Sequence, residues 1–306
     1  MSRTARVTCV TGAGTAPELM AEAVLALDAV ARLHGLEIDE THVTFGAVAV
    51  ARAGQAVPPL TREAILAADA VLVAGAEEPA LDEIMRELDL RARVTRVRFG
   101  ECDDVAFVSP RAPDAEQWTI EAAFRIAESR AMRIAAVGDA PWSDLVDAVA
   151  AHHEHVHVEH LAPKLAIPLA AFNASRFDVV LVAPAWAEPM VEIAAAPASA
   201  RVAAHGLLAG HGPSLFVPAP DGGFALAGSG VVNPSSMLLA AAMMLEHGLD
   251  ASCAGATLAG AVSSVLVDGP RTPDRLRHGG VGATTREFTK RVVSGFQLSQ
   301  PWAGAA

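Results

Sequence analysis

The chain contains no tyrosine, and its three cysteines stand far apart with no Cys-x-x-Cys pair among them. The missing phenol excludes any mechanism that relies on a tyrosine to move a proton. Cys9, Cys102 and Cys253 offer neither a disulfide framework nor the paired spacing of a structural zinc site, which fits a reducing compartment. Positive charge is scarce: 23 Lys and Arg face 35 Asp and Glu, a formal net charge of −12. A nucleic-acid partner is therefore not expected, and an anionic ligand has to be held by local arginines or lysines rather than steered in by the global field. The apolar stretch 238–245 is far too short to span a bilayer. Residues 1–6 run straight into a strand pattern, with no signal peptide in view. These absences lead us to expect a cytoplasmic protein with no membrane partner.

What is present is an ordinary globular composition, 52% hydrophobic and 19% charged over 306 residues. That length allows two domains or one large α/β unit. Residues 7–11 read as a buried strand, followed by the turn Gly12-Ala13-Gly14-Thr15-Ala16 and by Pro17 at the opening of a helix, where its missing N–H is harmless. Met20, Ala23, Val24, Leu27 and Val30 recur at helical spacing up to Gly35, a good terminator. Strand candidates at 43–45, 70–74, 134–137, 156–158 and 179–182 alternate with helical segments, which favours a largely parallel sheet. The last third differs: 218–230 is a Gly/Pro-rich loop, Asn233-Pro234 leads into a very apolar helix to residue 245, and a further helix covers 253–267.

Four ordered segments carry a resemblance to the isocitrate/isopropylmalate (β-decarboxylating) dehydrogenases. Thr11-Gly12-Ala13-Gly14-Thr15-Ala16-Pro17-Glu18 is similar to that family's GDGIGPE turn. Val57-Pro58-Pro59 and the run from Ala68 to Val73 resemble its LPPETLEAIRKADAVLLGA stretch. Glu87-Leu88-Asp89-Leu90 is similar to ELDL in ELDLYANLRP. Ala227-Gly228-Ser229-Gly230-Val231-Val232-Asn233-Pro234, continuing to Leu245, resembles AGKGIANPTAMILSAAMML. The resemblance implies an α/β, isopropylmalate-dehydrogenase-like two-domain fold with a large mixed or parallel sheet. One domain would join 1–98 to 203–306, with 99–202 inserted as a second domain bearing a dimerisation arm. It also implies a homodimer whose two sites each borrow residues from the partner. A short-chain Rossmann dehydrogenase, suggested by Thr11-Gly12-Ala13-Gly14, is excluded: Ala16-Pro17 stands where the third glycine belongs, and the Tyr-x-x-x-Lys pair has no tyrosine to draw on.

The family oxidises a 2-hydroxy acid with NAD(P) and decarboxylates the product, using arginines on the substrate carboxylates, a divalent metal on aspartates, and a Lys/Tyr pair. Measured against that resemblance, much is replaced. Met85 and Thr95 stand at arginine positions, with Arg86 and Arg96 one place along, and a one-residue shift on a helix turns a side chain by roughly 100 degrees. Arg111 stands near the place of a third arginine. These three are the candidate substrate-binding residues, with solvated arginines as the plain alternative. Asp139 falls at the catalytic lysine's place and Lys164 at that of a metal-binding aspartate, so lysine and carboxylate have changed places. Glu188 and Glu192 fall on the two remaining metal positions, four apart on one helical face. We expect Lys164 to face Glu188 and Glu192 and to fill by charge the place of the metal, leaving no tight Mg²⁺ or Mn²⁺ site; a plain surface ion network is the alternative. Asp139, Lys164, Glu188 and Glu192 are the candidate catalytic set.

The cofactor loop is altered too. Ala225 takes the place of its ribose-binding aspartate and Pro220 that of its histidine, which leaves Asp221 and Asn233 as candidate NAD(P) contacts and makes nucleotide binding weak at best. Asn233 is equally a good helix cap. In the histidine-rich run 152–160, His155 and His157 would share one strand face, a geometry a metal can bridge, although histidines there also serve as solvated or interfacial groups. Three functions stay open: a repurposed enzyme acting without metal on a small carboxylate, an NAD(P)-dependent oxidoreductase acting on a 3-substituted malate, and a catalytically silent binding or regulatory subunit.

Overall fold

The computed structural model describes residues 4–75, 78–99, 103–197, 200–219, 224–276 and 281–298. Asp221 and Cys102, both singled out above, lie outside them. In chain order the elements are β1 (Ala5–Thr11), α1 (Ala16–His34), β2 (Ile38–Thr44), α2 (Gly46–Ala53), α3 (Pro59–Ala67), β3 (Ala70–Ala74) and α4 (Glu78–Glu87). Then come β4 (Leu90–Phe99), β5 (Asp103–Pro110), α5 (Glu116–Glu128), β6 (Arg133–Val137), α6 (Ala140–Ala150), β7 (His157–Leu161), α7 (Pro163–Asn173), β8 (Val179–Val182), α8 (Ala187–Ala195) and β9 (Ala200–Ala209). The chain closes with β10 (Ser214–Pro218), α9 (Ser235–His247), α10 (Ser252–Asp268) and α11 (Thr285–Leu298).

These elements form two compact units, 1–88 with 212–306 and 89–211. The division falls outside residues 98 and 203, the bounds expected from the sequence, for a simple reason. Strands β4 and β9 pair with each other antiparallel along almost their whole length, and β4 pairs with β5, so both strands go with the middle segment.

In the first unit four parallel strands run in the order β2-β1-β3-β10. Every residue of β3 is buried, as its unbroken Ala-Val-Leu-Val-Ala run requires of a parallel strand covered on both faces. Thr8 points to α3, donating its hydroxyl to the Ala64 carbonyl at 2.9 Å, while α1 covers the other face together with α9, whose residues Met237 to Leu245 are all buried. Helix α1 ends where Gly35 enters the left-handed region at φ 66°, its N–H donating to the Ala31 carbonyl. Strand β2 is longer than the 43–45 core visible in the sequence. It is an edge strand, so Asp39 and Thr41 are exposed and no apolar run marks it.

In the second unit six strands run β9-β4-β5-β8-β6-β7, antiparallel from β9 to β5 and parallel from β5 to β7. One face carries α5. The other carries α7 and α8 over a core of Val97, Val105, Phe107, Val137, Val180, Val182 and Met190. Pro189 lies in the first turn of α8, where its missing N–H breaks no hydrogen bond, so the helix contains both Glu188 and Glu192. Strand β7 begins at His157 and His155 sits in the preceding turn. The expected shared strand face of His155 and His157 therefore does not form. Instead His153 Nδ1 and His155 Nε2 both meet Glu128 Oε1, at 2.7 and 3.0 Å. Across the described residues, no helix is long and apolar enough to cross a membrane.

Candidate active site

Side chains on a strand alternate between faces, so Arg93 and Thr95 of β4 point one way and Arg96 and Arg98 the other. The face bearing Arg93 and Thr95 meets the N-terminal half of α8 and opens a cavity of about 210 Å³. Its polar lining is Arg93, Thr95, Ser109 of β5, His205 of β9, and Glu188 and Glu192 of α8. The register explains the grouping: Thr95 pairs with Phe107 on one side and His205 on the other, and Arg93 pairs with Ser109.

His205 Nδ1 lies 3.0 Å from Thr95 Oγ1, the direction of that hydrogen bond depending on the tautomer. Burial first, and the positive charge of Arg93 second, push the imidazole down to about 4, so it is neutral at pH 7. Across the described residues, no Asp or Glu comes within ion-pairing distance of Arg93, although both glutamates line the same cavity. A guanidinium and two carboxylates thus share one pocket uncommitted to each other.

The other faces and termini hold the remaining candidates. Arg96 is 7% exposed, and its Nε meets Asp104 Oδ2 at 2.8 Å on the face opposite Thr95. Arg130, just beyond α5, bridges Asp104 and Asp178 at 2.9 and 2.7 Å, and Asp178 also accepts the Ala131 N–H at 2.8 Å. Burial works against ionisation of Asp104, but Arg96, Arg130 and Arg98 outweigh it and hold the carboxyl below its ordinary range. Arg96 is thus engaged in a buried ion network, away from the cavity. Arg111 follows β5, its backbone N–H donating to the Arg91 carbonyl at 2.8 Å. Arg86 lies exposed on α4 in the first unit, its Nε donating to the Asp82 carbonyl.

Asp139 caps α6, accepting the Trp142 N–H on Oδ1 at 3.4 Å, and Lys164 is exposed in the first turn of α7. Neither lines the cavity. Across the described residues, Lys164 forms no ion pair, so a single chain does not bring it to Glu188 and Glu192 as expected. Residues 93, 109 and 205 escaped the sequence reading. The available signal for Arg93 was its position two residues before Thr95, which on a strand means the same face.

Two cofactor questions follow from these positions. Across the described residues, the one cluster in which three His, Cys, Asp or Glu ligand atoms converge is Cys9, Glu40 and His42, and it does not include Glu188 or Glu192. The cavity itself offers two exposed carboxylates, Glu188 and Glu192, beside the guanidinium of Arg93, and a hard divalent cation there would have to draw its remaining oxygens from water or a ligand. Asn233 is committed at the start of α9: its Oδ1 accepts the Ser235 N–H and its Nδ2 donates to Asp274 Oδ2, both at 3.0 Å. Both ends of the Asn233 amide are therefore engaged within the chain.

The fold is that of the β-decarboxylating dehydrogenases. The structure aligns with the β-decarboxylating dehydrogenase of Thermococcus kodakarensis at a TM-score of 0.81 and 21% identity, covering 99% of this chain and all of that one. It aligns with the isocitrate dehydrogenase of Methylococcus capsulatus at a TM-score of 0.76 and 19% identity, covering 96% and 100%. The family model described as isocitrate/isopropylmalate dehydrogenase matches residues 6–95 and 120–292. The chain belongs to the isocitrate/isopropylmalate dehydrogenase family. Among its relatives is the 3-isopropylmalate dehydrogenase of Prochlorococcus marinus, 29% identical over 90% of this chain and 94% of that protein. Another is the 3-isopropylmalate dehydrogenase of Streptococcus thermophilus, 26% identical over 95% and 99%.

Proposed function

We propose that this chain is a diverged family member with a degenerate oxidative site, which carries out a metal-independent proton transfer on a small carboxylate. The observation that supports the reading is the grouping of Arg93, Glu188, Glu192 and a neutral His205 in one cavity. The guanidinium grips a substrate carboxylate with its two-pronged fork. With that end fixed, one glutamate takes a proton from the carbon beside the substrate's carbonyl or carboxyl group. His205 donates an N–H to the oxygen on which negative charge develops. The glutamate returns the proton to a neighbouring carbon or to a departing hydroxyl, so isomerisation or elimination of water balances without a redox partner. Asp139 and Lys164, at exposed helix N-termini, are assigned to the pocket of a second subunit, as the family's shared sites imply, where Lys164 offsets the two glutamates.

The test is the melting temperature in metal-free buffer with malate-type carboxylates, NAD, NADP and Mg²⁺, separately and together. We expect saturable stabilisation by a carboxylate alone, indifferent to Mg²⁺ and lost in Arg93→Gln. Stabilisation that requires nucleotide and Mg²⁺ together overturns the proposal.

One observation favours a second reading, NAD(P)-dependent oxidation and decarboxylation of a 3-substituted malate, the class suggested by the relatives' names. Glu18, at the end of the first turn, accepts the Gly230 N–H on Oε2 at 3.3 Å, while its Oε1 is buried with no hydrogen-bond partner. A ribose hydroxyl is one donor that would satisfy it. The same melting series separates the two readings, because nucleotide alone then stabilises the chain.

A further inference from the structure

The cluster of Cys9, Glu40 and His42 takes no part in the chemistry above. Strands β1 and β2 run parallel with Cys9 directly opposite His42 and Val7 opposite Glu40. Alternation puts residues 9, 40 and 42 on the same face of the sheet. Their ligand atoms, a thiol sulfur, a carboxylate oxygen and an imidazole nitrogen, all lie within 4.8 Å of one another. His42 Nε2 is 3.3 Å from Glu40 Oε2. Asp28 of α1 acts electrostatically on Glu40 from the helix that covers this face. Cys9 is fully buried, Glu40 has 14% of its side chain exposed, and His42 has 53%, so the cluster opens to solvent at one end only.

We infer that Cys9, Glu40 and His42 form a binding site for a thiophilic divalent cation of the zinc type, with Asp28 facing Glu40 from α1. One sulfur, one nitrogen and one oxygen ligand suit a tetrahedral borderline ion, and the sulfur disfavours Mg²⁺ and Ca²⁺. Bonds of about 2.0–2.3 Å to such an ion hold its ligand atoms roughly 3–4 Å apart, so binding would draw these three side chains together. The fourth position falls to water. The Cys9 thiolate and the Glu40 carboxylate would balance the divalent charge, with His42 as a neutral ligand. The ion would pin the edge strand β2 to β1, a structural role independent of the cavity in the second unit. Such ligands are invisible to spacing rules, because Cys9 is brought to the Glu40-x-His42 pair by strand pairing and not by sequence proximity.

The experiment uses the full, untagged chain, stripped with chelator and titrated with Co²⁺ and then with Zn²⁺. We expect one Co²⁺ per chain with a thiolate-to-cobalt charge-transfer band, displaced by Zn²⁺, and a rise in melting temperature with Zn²⁺ but not with Mg²⁺. Cys9→Ser should abolish the band, and His42→Gln, at an exposed position that leaves packing intact, should weaken binding by roughly 10- to 100-fold or more. Cys253→Ser and the double change His153→Ala with His155→Ala serve as controls and should leave the band in place. A charge-transfer band that survives Cys9→Ser, no band at all, or binding unaffected by His42→Gln overturns the inference.

Discussion

His205 is kept neutral chiefly by burial, with the charge of Arg93 as the smaller cause, and this has a consequence for stability. The unfolded chain presents an imidazole titrating near its ordinary 6.5, whereas the folded one titrates at about 4. Between those values the unfolded state binds more protons. The contribution of this group is therefore fully present above about 6.5 and is lost as pH falls toward 4, by up to roughly 3 kcal/mol. We expect His205→Gln, which keeps a polar group near Thr95 but cannot titrate, to flatten this part of the profile. Urea denaturation of both proteins at pH 7 and pH 4.5 reads the difference. A parallel fall in the two would show that His205 carries none of the acid sensitivity. The same residue shows what the sequence conceals. Nothing in the run Ala204-His205-Gly206 marks a special histidine; it becomes one only because β9 pairs antiparallel with β4 and sets it opposite Thr95.

At the scale of elements, the strand–helix alternation, the start and end of α1, the wholly buried β3 and the apolar α9 were legible because each follows from a local pattern. The four-residue spacing of Glu188 and Glu192 was legible as one helical face, and both lie on α8. The arginines were harder. A shift of one residue was treated as a helical turn, but Arg96 is on a strand, where one residue means the opposite face and a buried partner, Asp104. That network ties three elements together: Arg130 beyond α5 reaches Asp104 of β5 and Asp178 ahead of β8. Its side chain is 14% exposed, so removing the charge takes the arginine from Asp178, whose own side chain is 7% exposed, while Asp104 keeps Arg96. We expect Arg130→Met to cost about 3–5 kcal/mol, the usual penalty for breaking a buried pair from one side. Denaturant unfolding of the variant measures it, and a loss under about 1 kcal/mol would mean that water already solvates the network.

For the molecule as a whole, four ordered motifs were enough to define the family, while two of the candidate site residues stand away from the cavity. Asp139 and Lys164 lie at the N-termini of α6 and α7, exposed, and the cavity between β4 and α8 is lined without them. Lys164 is also badly placed for its own helix, since a cation in the first turn opposes the backbone dipole. A lysine kept there for a neighbouring subunit makes sense of that local penalty. The proposal of a shared site gives a sharp expectation for mixed dimers. Lys164→Ala and Glu192→Ala each spoil both sites of a symmetric homodimer. After the two variants are unfolded together and refolded, a mixed dimer regains one pocket in which wild-type Glu192 meets wild-type Lys164. With random pairing, about a quarter of all sites recover carboxylate binding, because half the dimers are mixed and each has one intact pocket. Calorimetry gives the number of recovered sites, and sedimentation confirms the dimer. Recovery of none, with dimers present, would place Lys164 outside the pocket altogether and leave Arg93, His205 and the two glutamates as a site contained in one chain.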